Sequence, residues 1–151
     1  MSNTKISIIT LTIIVLLLSG CSSSKKTEKE LNLIMDTIIT TESNQYFYDL
    51  VNSLLTNKET DELLTLASSE LDASNKGLQS LKLKTKKAKD VKKKYELAFK
   101  NRDTVISMLK NNQVNESTKE EFKESITKAQ ENEYEAKEII IKELNLKDIE
   151  S

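Results

Sequence analysis

The chain has 151 residues, with 23 basic and 24 acidic side chains that give a net charge of −1. It contains two glycines and no proline, so it lacks the turn residues that several short strands would need, and the composition predicts an all-α protein. With no histidine and one cysteine, the chain can form neither an internal disulfide nor a Ser-His-Asp triad nor the usual zinc and copper sites. We therefore expect no metal site and no catalytic residues.

An uncharged, strongly apolar stretch lies close to the amino terminus. It covers residues 6–18 and follows Lys5, the only charged side chain before it. As a helix this stretch would be about 20 Å long, which is short of the roughly 30 Å hydrocarbon core of a bilayer. A basic residue followed by a short apolar segment is typical of a secretory signal peptide, which we predict for residues 1–20.

The apolar stretch ends in a short motif around the single cysteine. The residues are Leu18, Ser19, Gly20 and Cys21, and three serines follow them. The motif resembles the lipobox of bacterial lipoproteins, in which a branched residue and two small residues precede the modified cysteine. Small side chains at positions 19 and 20 would give a signal peptidase access to the bond that it cuts.

The resemblance implies a covalent lipid and a location. Diacylglycerol would be attached to the thiol of Cys21, and cleavage between Gly20 and Cys21 would follow, with N-acylation of the new amino terminus left open. Two acyl chains are sufficient for stable membrane attachment. We therefore expect a mature protein that is anchored at the extracytoplasmic face of the cell membrane, with no other cofactor.

The mature chain is predicted to begin with a short tether and a long helix. Residues 21–26 contain the lipidated cysteine and a polar tether, and residues 27–151 form the folded domain. Thr27 and Glu30 fit the pattern of a capping box, in which each side chain binds a backbone N–H of the first turn. Apolar residues then recur every three or four positions, which predicts one amphipathic helix that ends near Asn57.

The remaining pattern predicts three more helices. Thr60 can cap a second helix, whose apolar spacing becomes uncertain around residues 82–85. A third helix precedes a loop at residues 111–115, and Ser117 or Thr118 can cap a last helix that continues to Leu144. These elements predict an up-and-down four-helix bundle. The alternative fuses the second and third helices into one long middle helix, which gives a three-helix coiled-coil bundle.

A dense run of lysines occupies residues 82–94. One interpretation is attraction to an anionic envelope polymer or to lipid headgroups near the anchor. The candidate residues are Lys82, Lys86, Lys89 and Lys93. The other interpretation is a solvated face that pairs with the acidic helices before and after it in the chain. Nucleic acid is not expected as a partner, because the domain is predicted to be exported.

Three aromatic residues follow one another at positions 46–48 of the first helix. Successive helical residues cover too wide an arc for all three to face one core. Phe47 continues the apolar stripe and is predicted to be buried. Tyr46 or Tyr48 could either pack at the core boundary or face solvent as a contact residue.

The function expected from these features is non-catalytic. Beyond the lipobox, the composition is similar to that of small helical-bundle lipoproteins of low-GC Gram-positive bacteria. The leading hypothesis is a binding or structural module that contacts a protein partner in the envelope, in exclusion, immunity or complex assembly. The alternative is a binder of anionic polymer or headgroups, and a third is an enzyme with an unrecognised carboxylate site. Acidic pairs such as Glu120/Glu124 and Glu131/Glu135 are instead predicted to be solvated surface.

Overall fold

The computed structural model describes residues 23–38, 45–55 and 60–146. These residues form five helices and no strand, which confirms the all-α prediction for the part of the chain described. The helices are α1 (residues 23–38), α2 (Gln45–Leu55), α3 (Asp61–Ser80), α4 (Lys86–Lys110) and α5 (Lys119–Leu144). The predicted signal peptide and the motif that ends at Cys21 lie outside the described residues.

The second and third predicted helices are separate helices, α3 and α4. The backbone becomes extended at Leu81, with φ −70° and ψ 120°, and stays non-helical until Thr85. The hydroxyl of Thr85 accepts a hydrogen bond from the backbone N–H of Ala88 at 3.4 Å and so caps α4. The alternative with one long middle helix is therefore wrong. Thr85 is a helix cap that the apolar spacing did not predict.

The first predicted helix corresponds to two helices, α1 and α2. α1 already includes residues 23–26, which the sequence analysis assigned to the tether. Thr27 is therefore inside the helix and not its cap, and its hydroxyl donates to the carbonyl oxygen of Ser23 at 3.0 Å. The predicted continuity from Thr27 to Asn57 depends on residues 39–44, which lie outside the described part of the chain.

The other predicted boundaries are close to the observed ones. Thr60 precedes α3 and Thr118 precedes α5, although neither side chain makes a capping hydrogen bond. The hydroxyl of Thr118 donates instead to the carbonyl oxygen of Gln113. The predicted loop at residues 111–115 is confirmed, and Asn112 there has φ 50°, in the left-handed region that asparagine tolerates better than most residues.

All five helices contribute to one hydrophobic core. α4 packs against α3 and α5, and α2 packs against α3. Gly77 allows α1 to approach α3 closely, because a Cβ atom at this position would lie 2.8 Å from Cγ2 of Thr37. No helix within the described residues is both long and apolar enough to traverse a bilayer. The largest fully buried apolar side chains are those of Leu31, Ile34, Phe47, Leu50, Leu78, Val91, Phe99 and Val105.

Candidate anionic-surface interface

The four candidate lysines are exposed at the start of α4 and just before it. Within the helix, Lys86, Lys89 and Lys93 recur every three or four residues and therefore share one side of it. The opposite side is buried in the core by Ala88, Val91, Tyr95 and Phe99. We refer to Lys82, Lys86, Lys89 and Lys93 as the basic face.

Several of the other lysines in the run contact polar groups of the neighbouring helices. Lys87 forms an ion pair with Glu143 of α5, and Lys94 forms one with Glu135 of the same helix. Lys92 lies 3.4 Å from the carbonyl oxygens of Gln79 and Leu81, near the end of α3. The predicted pairing with an acidic helix is thus confirmed for Lys87 and Lys94.

The basic face differs from these lysines in having no such partner. Within the described residues, none of its four ammonium groups lies within ion-pair distance of a carboxylate. Asp90 is the only acidic residue between Lys82 and Lys94 in the chain. An ammonium group that is exposed and unpaired can exchange its small counterions for a fixed anionic surface without breaking an internal contact.

The basic face begins next to the start of the described chain. Ser23 and Thr27 of α1 line an open groove together with Thr85, Lys86, Lys87 and Asp90. Ser23 is two residues beyond Cys21. Two residues of extended chain span at most about 7 Å. The chain length therefore limits the distance between Cys21 and Ser23 to about this value.

Glu30 joins α1 to the segment that carries the basic face. Its carboxylate accepts hydrogen bonds from the backbone N–H of Thr85 at 2.8 Å, the hydroxyl of Thr85 at 2.7 Å and the backbone N–H of Lys84 at 3.1 Å. Burial alone would raise the pKa of Glu30. The hydrogen bonds from Thr85 and Lys84, together with the charge of Lys26, outweigh burial and lower this pKa below its usual value of 4.5.

Lys26 therefore belongs to the same end of the protein as the basic face. It is exposed and close enough to Glu30 to affect the pKa of that carboxyl group. The sequence analysis placed Lys26 in the tether and did not connect it with the lysine run. No local pattern could have made this connection, because Glu30 and Thr85 are 55 residues apart.

The exposed large hydrophobic residues come from five separate segments. They lie on α1, on α4, in the loop after α4, on α5 and beyond the end of α5. The most exposed is a tyrosine on α5, at 65% of its full accessible surface. The residues are Leu33, Leu97, Val114, Tyr134 and Leu146. Exposed hydrophobic residues are ordinary on protein surfaces and do not by themselves mark a protein contact.

The three consecutive aromatic residues of α2 have separate environments. Phe47 is 1% exposed, as predicted. Tyr48 is half-buried, and its hydroxyl donates to Oε2 of Glu133 on α5 at 2.9 Å. Burial and the negative charge of Glu133 raise the pKa of Tyr48 to about 12. Tyr46 packs against the core at its edge. Of the two alternatives, boundary packing is therefore correct for Tyr46 and Tyr48.

A buried ionic cluster surrounds Arg102, which is not among the candidate residues of the sequence analysis. Its side chain is 1% exposed and forms an ion pair with Glu133 of α5. The guanidinium carbon lies 5.2, 5.4 and 5.6 Å from the ring centres of Phe47, Tyr48 and Phe99. Helical spacing could have predicted this burial, because Arg102 follows Phe99 by three residues and therefore lies on the buried side of α4.

Glu70 of α3 is the second buried carboxylate near Arg102 and is 7% exposed. Burial is the main influence and raises its pKa to about 7. Attraction to Arg102 and hydrogen bonding from the first backbone N–H groups of α2, those of Gln45, Tyr46 and Phe47, act in the opposite direction. One of the two carboxylate oxygens, Oε1, has no hydrogen-bond partner.

The acidic pairs of α5 are solvated surface, as predicted. Glu120 and Glu124 are exposed and pair with Lys123 and Lys128 of their own helix. Glu131 and Glu135 are exposed as well. In the helices and connections that the structure describes, no three acidic or cysteine side chains come together as a set of metal ligands.

No protein-family model, no curated protein and no solved structure matches this chain. Its function is therefore to be inferred from the motif that ends at Cys21 and from the geometry of the basic face.

Proposed function

We propose that this protein is a lipid-anchored, non-catalytic module at the extracytoplasmic face of a bacterial membrane, where its basic face binds phosphate-bearing anionic groups. One observation carries the proposal. Lys86, an exposed lysine of the basic face, lines the same groove as Ser23, which is two residues from the cysteine that would carry the lipid. The motif Leu18-Ser19-Gly20-Cys21 supports the anchor, and anionic headgroups of the anchoring membrane are the nearest source of phosphate.

The strength and range of the attraction between lysines and an anionic membrane are sufficient for such a contact. A lysine near an anionic membrane contributes about 1 kcal/mol, and this attraction falls off within a Debye length, about 8 Å at physiological salt. The tether between Cys21 and Ser23 is no longer than this distance. An anchored domain also meets the surface at high effective concentration, so that modest attraction is sufficient to orient it.

The orientation would be set by the bundle. In this proposal α1 and α2 form the first arm of an up-and-down four-helix bundle. Three contacts support an antiparallel arrangement of α1 and α2 against α3 and the segment that follows α3. They join Glu30 to Thr85, Thr37 to Gly77, and the start of α2 to Glu70. Residues later in α1 and α2 contact residues earlier in the segment from α3 to Thr85, as expected for two antiparallel chain segments. The first turns of α4, which carry the basic face, would then be nearer the membrane than the loop after α4.

The hypothesis of a protein partner in the envelope stays a prediction. It requires an exposed apolar surface larger than single side chains. An anionic wall polymer offers the same phosphate chemistry as a headgroup. The experiment below therefore separates membrane from polymer.

The test uses residues 22–151 produced without lipid, which we expect to fold with a helical circular dichroism spectrum. Binding is measured at low and at physiological salt to vesicles of phosphatidylglycerol, to vesicles of phosphatidylcholine and to purified teichoic acid. We expect binding to phosphatidylglycerol that weakens steeply with salt. In the test variant Lys86, Lys89 and Lys93 are changed to Gln, which should remove most of this binding. Thermal stability should change little, because exposed charges contribute under about 1 kcal/mol each.

A matched control changes Lys119, Lys123 and Lys128 to Gln. These lysines are exposed on the first half of α5, and the variant has the same loss of charge far from the basic face. It should bind phosphatidylglycerol almost as well as the wild type. Binding to teichoic acid alone would assign the basic face to the polymer instead of the membrane. If the wild type binds neither anionic surface at low salt, or if both variants bind equally, the proposal fails.

A further inference from the structure

The buried ionic cluster contains more negative than positive charge. Arg102 is the only buried cation among the described residues, and Glu70 and Glu133 are both buried near it. Glu133 is well compensated, because it pairs with Arg102 and Lys137 and accepts from the hydroxyl of Tyr48. Glu70 keeps an oxygen that has no hydrogen-bond partner. When it is ionised, Glu70 is therefore the surplus charge of this interior.

Glu70 is in contact with one neighbouring helix, α2. Its carboxyl group lies on α3 at the first backbone N–H groups of α2, where α2 covers it. Phe47 and Leu50 of α2 are buried in the same interface. If α2 moved away, the carboxyl group would lose the hydrogen bonds from these N–H groups but would gain water, and in the docked state burial outweighs those hydrogen bonds. Ionisation of Glu70 therefore favours the open arrangement, and protonation favours the docked one.

We propose that Glu70 is a pH-sensitive switch that controls how firmly α2 docks on α3. The surrounding titratable and charged groups do not duplicate this role. Arg102 of α4 attracts the ionised carboxylate and limits the opening, and Glu133 of α5 is held in its own ion pair. Tyr48 of α2 does not lose its proton near neutral pH, since its pKa is raised to about 12. The switch does not depend on the basic face.

The direction and size of the effect follow from the two states of the carboxyl group. Its pKa is raised from 4.5 to about 7 when α2 is docked. The stabilisation is thus fully present below pH 4.5 and is lost as the pH rises through 7. If the open state restores the ordinary pKa, the opening equilibrium constant of α2 should rise about 30-fold between pH 5.5 and pH 8.5.

Hydrogen exchange of the full chain in a non-ionic detergent measures this opening. Exchange is followed by mass spectrometry at pH 5.5 to 8.5, under conditions where it reports the opening equilibrium, and is corrected for the intrinsic pH dependence of amide exchange. We expect α2 amides to be less protected than α4 amides and to lose about 30-fold in protection over this range. In Glu70→Gln the protection of α2 should be high and independent of pH.

Glu62→Gln is the matched control, because Glu62 is an exposed glutamate on the same helix. It should behave as the wild type. Equal protection of α2 and α4 at every pH would show that Glu70 affects only global unfolding and would overturn the proposal. The proposal would also be overturned if protection of the α2 amides did not depend on pH in the wild type, or if it depended on pH equally in Glu70→Gln. Failure of Glu70→Gln to fold would also contradict it, since glutamine mimics the neutral carboxyl group.

Discussion

Replacement of Arg102 by methionine tests whether the buried ionic cluster holds α2, α4 and α5 together. Methionine keeps the apolar stem of arginine but removes the charge, so that packing changes little. Glu133, with its side chain 4% exposed, would lose its buried partner Arg102, while its contacts with Tyr48 and the half-exposed Lys137 would remain. Three ring contacts to Phe47, Tyr48 and Phe99 would also be lost.

The expected loss of unfolding free energy is large. Breaking a buried ion pair by removing one partner costs about 3–5 kcal/mol, mainly because the other charge stays buried. This is a large part of the roughly 5–15 kcal/mol that stabilises a domain of this size. Arg102→Met combined with Glu133→Gln removes both charges, and this double variant should recover at least half of the loss.

The assay is urea unfolding of residues 22–151 at pH 7, followed by circular dichroism at 222 nm. Lys100→Met is the control for the change of side chain, because Lys100 is exposed on the same helix and should alter the unfolding free energy by less than about 0.5 kcal/mol. The reasoning is refuted if Arg102→Met is no more destabilising than Lys100→Met. It is also refuted if the double variant is as unstable as Arg102→Met alone.

Three further changes have defined outcomes. Cys21→Ala should abolish incorporation of labelled fatty acid in cells, and undiminished label would exclude the lipid anchor. Gly77→Ala should lower thermal stability despite a helix propensity gain of about 1 kcal/mol, whereas in a Thr37→Ser background, which lacks Cγ2, it should raise stability. Glu30→Gln should lower the free energy of unfolding by about 1 kcal/mol at pH 7. Because the pKa of Glu30 is lowered, this difference should vanish as the pH falls below 4.5, and a constant difference would contradict the cap on Thr85.

Local pattern was sufficient to predict most of the helices. Apolar residues three and four apart predict α3, α4 and α5 within a few residues, because an amphipathic face repeats with the helix itself. The same spacing predicts that Lys86, Lys89 and Lys93 share one side of α4. The start of α1 was misjudged because the polar residues 23–26 carry no apolar signal, although they lie within the helix.

Contacts between distant residues decided the rest. The separation of α3 from α4 is stabilised by Thr85 and by Glu30, which reaches Thr85 from 55 residues away. Arg102 and Glu133 are 31 residues apart, and nothing near either residue marks the pair. The lysine run looked uniform, yet α5 neutralises Lys87 and Lys94 and leaves the basic face exposed. Helical periodicity is a property of neighbours in the chain, whereas ion pairing, capping and burial of charge depend on which helices meet.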